Sequence, residues 1–204
     1  IIDLIESSKE WEIKGLVGQP NEIKNSLLGY KIFDTENNLE KISKKYSNAV
    51  IGVGQIGLPS KRIELVKKLK NNNFQLPIIK SKFSTLSRHS FIEEGTTIGH
   101  GAIVNSNVKI GKYCIINSAS LIEHDSRVGD FCHISTGVII NGNVEIGSGS
   151  FIGSGTIIRE GIKLPPNTII SAGKRIMGLP IKANWMKIQN NVLIIAEAGV
   201  NHNG

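Results

Sequence analysis

The feature that most constrains this chain is a period of six residues that runs through its second half. Each sixth position is aliphatic at Ile98, Val104, Ile110, Ile116, Ile122, Val128, Ile134, Ile140, Ile146, Ile152, Ile158, Leu164 and Ile170. The position four residues after each of them is small or β-branched, as at Ala102, Cys114 and Ser126. A period of six with one aliphatic and one compact inward residue is typical of a hexapeptide β-helix.

The period also predicts how the repeat is built. Six residues supply a short strand and a turn, so three repeats make one triangular coil of about eighteen residues, and successive coils stack about 4.8 Å apart. Leu86 and Ile92 extend the ladder backwards, so about five coils fit between Leu86 and Gly173. Cys114 and Cys132 are one coil apart, which predicts that both thiols lie on the same inner ladder as small buried hydrophobes.

Composition excludes several classes of function. The net charge of +7 lies mostly in Lys-rich stretches such as Lys41 to Lys45 and Lys61 to Lys70, which lack interleaved aromatics. Such stretches favour solvated helix faces over a nucleic-acid interface, although an anionic small molecule suits the charge. Two cysteines without a signal peptide indicate a reducing compartment. No apolar run approaches the ~20 residues of a membrane span, so we expect a soluble, cytoplasmic protein.

Residues 1–82 have a different pattern, which predicts a small Rossmann-like α/β domain. Strands are expected at Glu12 to Val17, Ala49 to Val53 and Pro77 to Ile79, with a helix over Lys61 to Lys70. The chain opens with Ile1 to Glu6 in helical register, so we expect the domain to lack its first strand and glycine-rich loop.

A glycine-rich stretch closes the second of these predicted strands. It contains Gly52, Gly54 and Gln55. Open α/β sheets bind ligands at strand ends, so these three residues are candidates for substrate binding.

The predicted α/β unit is followed by a hexapeptide helix that contains two stretches, Ile122-Glu123-His124-Asp125 and Gly129-Asp130-Phe131-Cys132-His133. This combination resembles the bacterial sugar acetyltransferases. These include the sialic acid O-acetyltransferase family and the related nucleotide-amino-sugar N-acetyltransferases. The resemblance implies an acceptor-binding domain at 1–82 and a left-handed parallel β-helix at 83–173. It also implies a segment at 174–185, containing Met177 to Lys182, that closes the coenzyme A site.

The resemblance assigns the chemistry to two neighbouring residues. His124 would be the general base that takes the proton from the acceptor hydroxyl or amine. Asp125 would stabilise the imidazolium as it forms. The acceptor would attack the thioester of acetyl-CoA directly, with no acyl-enzyme.

Four further positions are implied to bind acetyl-CoA, the cosubstrate. His133 would contact its thioester end, and the Gly142 N–H is a candidate for holding the oxyanion. Ser154 and Gly173 match positions that line the coenzyme in this family. No metal is expected, because the zinc-binding histidine pattern of the γ-class carbonic anhydrases, which use a similar helix, is absent.

The last residues, 186–204, resemble the opening strand of sialic acid synthase-type enzymes. We expect no synthase activity, because one strand cannot make a barrel, but the tail directs attention to nine-carbon acidic sugars. The working hypothesis is therefore a homotrimeric acetyltransferase acting on a sialic- or legionaminic-type sugar. Two alternatives stay open: an N-acetyltransferase of a nucleotide-linked amino sugar, and an inactive β-helix remnant fused to a synthase fragment.

Overall fold

The structure is a computed structural model that describes residues 1–178. The synthase-like tail at 186–204 and most of the predicted coenzyme-closing segment at 174–185 lie outside the described residues. None of the helices within residues 1–178 is long and apolar enough to cross a membrane.

The N-terminal part is a small α/β unit. Its elements are α1 (Ile2–Ser8), β1 (Leu16–Gly18), a 3-10 turn (Pro20–Glu22), β2 (Ser26–Leu27), β3 (Tyr30–Thr35), a second 3-10 turn (Glu36–Asn38), α2 (Leu39–Ser43) and α3 (Ser60–Asn71). The three strands form one sheet in the order β1-β3-β2, in which β1 and β3 are parallel and β2 is antiparallel to β3. The helices predicted at Ile1 to Glu6 and Lys61 to Lys70 are confirmed.

Three strand predictions for this region were wrong in part. Ala49 to Val53 is not a strand, and only Asn48 forms a β-bridge, with Gln75. Two glycines disfavour a strand beyond Ile51, and the Val53 carbonyl is bound by the Arg62 side chain rather than by a neighbouring strand. The first strand covers only the end of the predicted Glu12 to Val17 segment. Of the strand expected at Pro77 to Ile79, only Ile79 lies in a strand, which spans Ile79–Lys80 and belongs to the β-helix.

A left-handed parallel β-helix occupies the rest of the described chain, as the repeat and the resemblance predicted. Its two-residue strands are β4 (Ile79–Lys80), β5 (Thr85–Leu86), β6 (Phe91–Ile92), β7 (Thr97–Ile98), β8 (Ile103–Val104), β9 (Lys109–Ile110), β10 (Ile115–Ile116), β11 (Leu121–Ile122), β12 (Arg127–Val128), β13 (His133–Ile134), β14 (Ile139–Ile140), β15 (Glu145–Ile146), β16 (Phe151–Ile152), β17 (Ile157–Ile158), β18 (Lys163–Leu164), β19 (Ile169–Ile170) and β20 (Arg175–Ile176).

These strands form the three faces of a triangular prism. Face one contains β4, β7, β10, β13, β16 and β19; face two contains β5, β8, β11, β14, β17 and β20; face three contains β6, β9, β12, β15 and β18. Each strand pairs in parallel with the strand one coil away, as Leu121 does with Ile139. Consequently every residue lies above the residue eighteen positions earlier in the sequence.

The interior of the prism consists of the aliphatic ladder. All thirteen predicted ladder residues are buried, and none exposes more than 4% of its surface. Each such side chain contributes roughly 1.5–3 kcal/mol on burial, so the ladder is the main source of stability. Cys114 and Cys132 lie within the same core as free thiols, as predicted. Burial raises the pKa of the Cys114 thiol, which makes it a poor nucleophile.

The α/β unit packs on the corner between faces three and one. The cluster there comprises Leu39, Ile42, Val66, Leu69, Phe74, Leu76 and Tyr113. Glu94 ties the two parts together at the surface, because it contacts Lys70 of α3 and also Lys112 and Tyr113 of the β-helix. The Lys70 contact is the main reason that the pKa of Glu94 falls to about 2.

Candidate active site

His124 and Asp125 form the turn between β11 and β12, at the corner where faces two and three meet. Asp125 adopts the left-handed conformation with φ 64°, which Asp tolerates better than most residues because its short side chain bonds locally. In this turn the His124 Nδ1 and the Asp125 Oδ2 are 2.8 Å apart. Both side chains are at least half exposed, so a ligand could approach them.

The hydrogen bond fixes the state of both groups. It lowers the pKa of the Asp125 carboxyl and raises the pKa of the His124 imidazole. An ionised carboxylate can only accept, so the Nδ1 of His124 carries the proton and Nε2 is left as a free base. Asn107, one coil earlier, donates from Nδ2 to the other carboxylate oxygen of Asp125 at 2.7 Å. This Asn107–Asp125–His124 chain can orient an imidazole for proton transfer.

Gly142 lies at the same corner one coil after His124, and the imidazole lies against it. A Cβ built on Gly142 would be 2.9 Å from the His124 Cε1 and 3.0 Å from its Nε2. The Gly142 carbonyl accepts from the Gly161 N–H, whereas its own N–H makes no hydrogen bond within residues 1–178. The structure therefore brings together His124, Asp125 and Gly142, three of the predicted site residues.

His133 lies elsewhere, on face one. This face is opposite the corner that carries His124, because nine residues are half of one coil. The side chain is only 8% exposed. Its Nδ1 is 2.6 Å from the Gln55 carbonyl oxygen, and the Asn117 side-chain amide lies 3.3 Å from its Nε2. Burial lowers the pKa of His133, so the ring is neutral.

The predicted substrate-binding residues lie on the same side of the prism as His133. Gln55 is buried, and its side-chain Nε2 donates to the Gly57 carbonyl at 3.1 Å. Gly52 and Gly54 are exposed, and a Cβ on either would meet open space. Because these residues lie on the His133 side of the prism, a single chain does not bring them to His124.

Ser154 and Gly173 form a third group, at the corner between faces one and two. The Gly173 N–H donates to the Ser154 carbonyl at 2.8 Å, and the Ser154 hydroxyl lies 2.8 Å from that of Ser135. Both residues are exposed. The predicted coenzyme-binding residues are thus divided among two corners and one face.

Face two connects the His124 corner with the Ser154 corner, and its outward column is apolar. Ile103, Leu121, Ile139 and Ile157 occupy that column on four consecutive coils, and each is partly exposed. The equivalent column of face three instead contains charged residues, as at Lys109, Arg127, Glu145 and Lys163. An exposed stripe of this kind is typical of an interface between subunits.

Sequence reasoning missed Asn107 and Asn117, which contact predicted site residues directly, and Arg62, which contacts only their neighbours. Asn107 could have been found, because it precedes Asp125 by one coil. Asn117 and Arg62 could not, since the first binds His133 across face one and the second acts through a loop. Within residues 1–178, no three His, Cys, Asp or Glu side chains are close enough to hold a metal ion.

Comparison with known proteins identifies the repeat. Residues 89–124 and 125–160 match the family model described as bacterial transferase hexapeptide (six repeats). No curated protein sequence matches the chain.

Solved structures with the same fold include a perosamine N-acetyltransferase from Caulobacter crescentus and an acetyltransferase domain from Neisseria gonorrhoeae. PerB from Caulobacter crescentus, solved in complex with CoA and GDP-perosamine, is 23% identical with a TM-score of 0.77, over 85% of this chain and 82% of that one. The acetyltransferase domain of PglB from Neisseria gonorrhoeae, in complex with acetyl coenzyme A, is 23% identical with a TM-score of 0.74, over 83% and 80%. WeeI from Acinetobacter baumannii is 25% identical with a TM-score of 0.59, over 79% and 82%. These similarities establish the fold of the chain.

Proposed function

We propose that the chain is an acetyl-CoA-dependent sugar acetyltransferase in which His124 is the general base. The observation that carries the proposal is the exposed His124 imidazole, whose Nδ1 is bound by Asp125 while its Nε2 is unprotonated and available. The fold shared with enzymes that were solved with CoA or acetyl-CoA supports the same reaction class.

The reaction is a direct transfer. The acceptor nitrogen or oxygen attacks the carbonyl carbon of the thioester as the His124 Nε2 takes its proton. The C–S bond of the tetrahedral intermediate then breaks, and the departing thiolate receives the proton from the imidazolium. Asp125 stabilises that imidazolium, since its carboxylate is 2.8 Å from Nδ1. The N–H of Gly142 is our candidate donor to the developing oxyanion.

The complete site needs more than one copy of the chain, and we propose a homotrimer. His124 and His133 are on opposite sides of one prism, so one ligand can reach both only when His133 comes from a neighbouring copy. The apolar column of face two lies directly beside His124 and supplies a surface on which two prisms can pack. Acetyl-CoA would then lie in the cleft between neighbouring subunits, with Ser154 and Gly173 along it.

The favoured acceptor is the amine of a nucleotide-linked amino sugar, because PerB was solved with GDP-perosamine and has the same fold over most of both chains. The second candidate is the hydroxyl of a sialic- or legionaminic-type sugar. Its support is the sequence resemblance of residues 186–204 to a sialic acid synthase, which lies outside the described residues.

Acetyl-CoA consumption by the purified chain tests the proposal, with nucleotide-linked amino sugars and free sialic-type sugars as parallel acceptor panels. We expect turnover with one panel and its loss in His124→Ala. His89→Ala is the matched control, because His89 is exposed at the same corner of the β-helix two coils before Asp125. A folded chain that consumes no acetyl-CoA with either panel would instead identify an inactive β-helix remnant.

A further inference from the structure

Arg62 of α3 is a buried charge without an acidic partner. It is only 2% exposed, and no carboxylate within residues 1–178 forms an ion pair with it. Its Nε makes no hydrogen bond there. A buried guanidinium costs free energy unless it is fully paired, and an apolar side chain of similar length could fill the same space at lower cost. Such a residue calls for an explanation beyond packing.

The contacts of Arg62 supply that explanation. Nη1 donates to the Val53 carbonyl at 2.6 Å, and Nη2 donates to the Tyr113 carbonyl of the β-helix at 3.0 Å. Val53 begins a loop, which we call the strap, that runs from Val53 to Pro59 along face one. Gly57 of the strap lies near Ile169, and Pro59 lies near Gly149. Arg62 therefore joins the beginning of the strap to the prism.

The strap in turn determines the state of His133. The Gln55 carbonyl lies 2.6 Å from the His133 Nδ1, and a carbonyl oxygen can only accept. The proton must therefore be on Nδ1, and Nε2 must be an acceptor. Burial lowers the pKa of His133 most, the hydrogen bond to the Gln55 carbonyl raises it in part, and repulsion by the Arg62 charge lowers it again. The edge of the ring also packs on Phe151, at 5.3 Å between centroids.

We propose that Arg62 is a positioning residue for acyl-donor binding: through the strap it holds His133 with its proton on Nδ1, so that Nε2 faces the ligand as a hydrogen-bond acceptor. This inference rests on the proposed function, in which His133 contacts acetyl-CoA. It changes the contact that the sequence resemblance implied. An acceptor Nε2 cannot donate to the thioester oxygen, but it can accept from an amide N–H.

Acetyl-CoA carries two such amides along its pantetheine arm. The current partner of Nε2, the Asn117 amide, is 3.3 Å away, which is a long hydrogen bond that a ligand N–H could replace. His133 would thereby fix the position of the pantetheine arm, while His124 of another copy performs the proton transfer.

The test combines two measurements on Arg62→Met, which removes both donors and keeps the apolar length. The first is the nitrogen NMR spectrum of the His133 ring, which distinguishes the two tautomers. The second is binding of coenzyme A by calorimetry, which needs no acceptor sugar. Lys67→Met is the matched control, because Lys67 is exposed on the same helix. Arg62→Lys serves as a second variant, since it keeps the charge but cannot bridge both carbonyls.

We expect Arg62→Met to lose the single Nδ1–H tautomer and to weaken coenzyme A binding about tenfold, the loss expected for one hydrogen bond. If Arg62→Met does not fold, Arg62→Lys takes its place, and we expect it to change the His133 tautomer and the coenzyme A affinity in the same direction but less. Lys67→Met should match the parent chain in both measurements. An unchanged tautomer, or unchanged coenzyme A binding despite a changed tautomer, overturns the proposal. A parent chain that binds no coenzyme A refutes the proposed function itself.

Discussion

Gly142→Ala is the substitution that most directly tests the geometry at His124. The added methyl group would lie 2.9 Å from Cε1 and 3.0 Å from Nε2 of the imidazole, where ordinary contacts begin near 3.4 Å. The ring must therefore move outward by about half an ångström, and it would draw away from the Asp125 carboxylate. Misplacement of a reacting group by 1 Å can cost about 10²-fold, so we expect kcat to fall by about 10- to 100-fold.

The fold should tolerate this change. Ser106, His124 and Glu160 occupy the equivalent corner position on other coils, so the turn accepts a Cβ. We expect the free energy of unfolding to change by no more than about 0.5 kcal/mol, as for most surface substitutions. Because alanine keeps the backbone N–H, the candidate oxyanion donor is retained, and the loss of rate reports on the imidazole alone.

The assay is acetyl-CoA consumption with the best acceptor, beside thermal denaturation of the same samples. Glu160→Ala is the control, since it changes the same corner position one coil later without touching His124. Full activity in Gly142→Ala would refute the reasoning, because it would mean that the position of the His124 ring does not matter for the reaction.

Three further predictions follow from the same contacts. Asp125 raises the pKa of His124, and the proposed general base must be neutral to accept a proton, so activity should fall as pH drops through that pKa. Asp125→Asn should move this acid limb of the kcat/KM profile to lower pH and reduce the plateau about tenfold. Leu121→Asp on face two should dissociate the proposed trimer, measured by sedimentation, whereas Lys109→Asp on face three should not. A trimer that persists in Leu121→Asp would exclude face two as the interface. The pKa of Glu94 is about 2, against 4.5 for a free side chain, so its ionised carboxylate stabilises the fold fully above pH 4.5 and progressively less as pH falls towards 2. Between these pH values, Glu94→Gln should flatten the pH dependence of the free energy of unfolding, measured in urea.

The β-helix could be predicted from the sequence almost residue by residue, because its period is local and its energy is dominated by one kind of contact. The aliphatic ladder and the stacking of Cys114 on Cys132 both follow from counting in eighteens. The same counting indicates that His124 and His133 lie on opposite sides of the prism, since nine residues are half a coil. It also indicates that Asn107 stacks on Asp125, because the two residues are eighteen positions apart.

The α/β unit was less predictable, because its form depends on contacts between distant residues. Ala49 to Val53 has the composition of a strand, but Arg62 takes the carbonyl with which Val53 would join a sheet. Tyr30–Thr35 forms the central strand of the small sheet without a clear alternation of apolar and polar residues. The position of Gln55 against His133 depends on a separation of 78 residues, which no local pattern records.

The opposite placement of the two histidines has a genetic consequence. In the proposed homotrimer, a chain that lacks His124 would be inactive and a chain that lacks His133 would bind acetyl-CoA weakly, but a mixed trimer would contain some clefts in which the intact His124 of one chain meets the intact His133 of the other. Random assembly of equal amounts would restore about a quarter of the clefts, as expected for a heterologous ring contact. Two defective alleles of this gene would then complement each other in one cell, although one encodes an inactive chain and the other an impaired one.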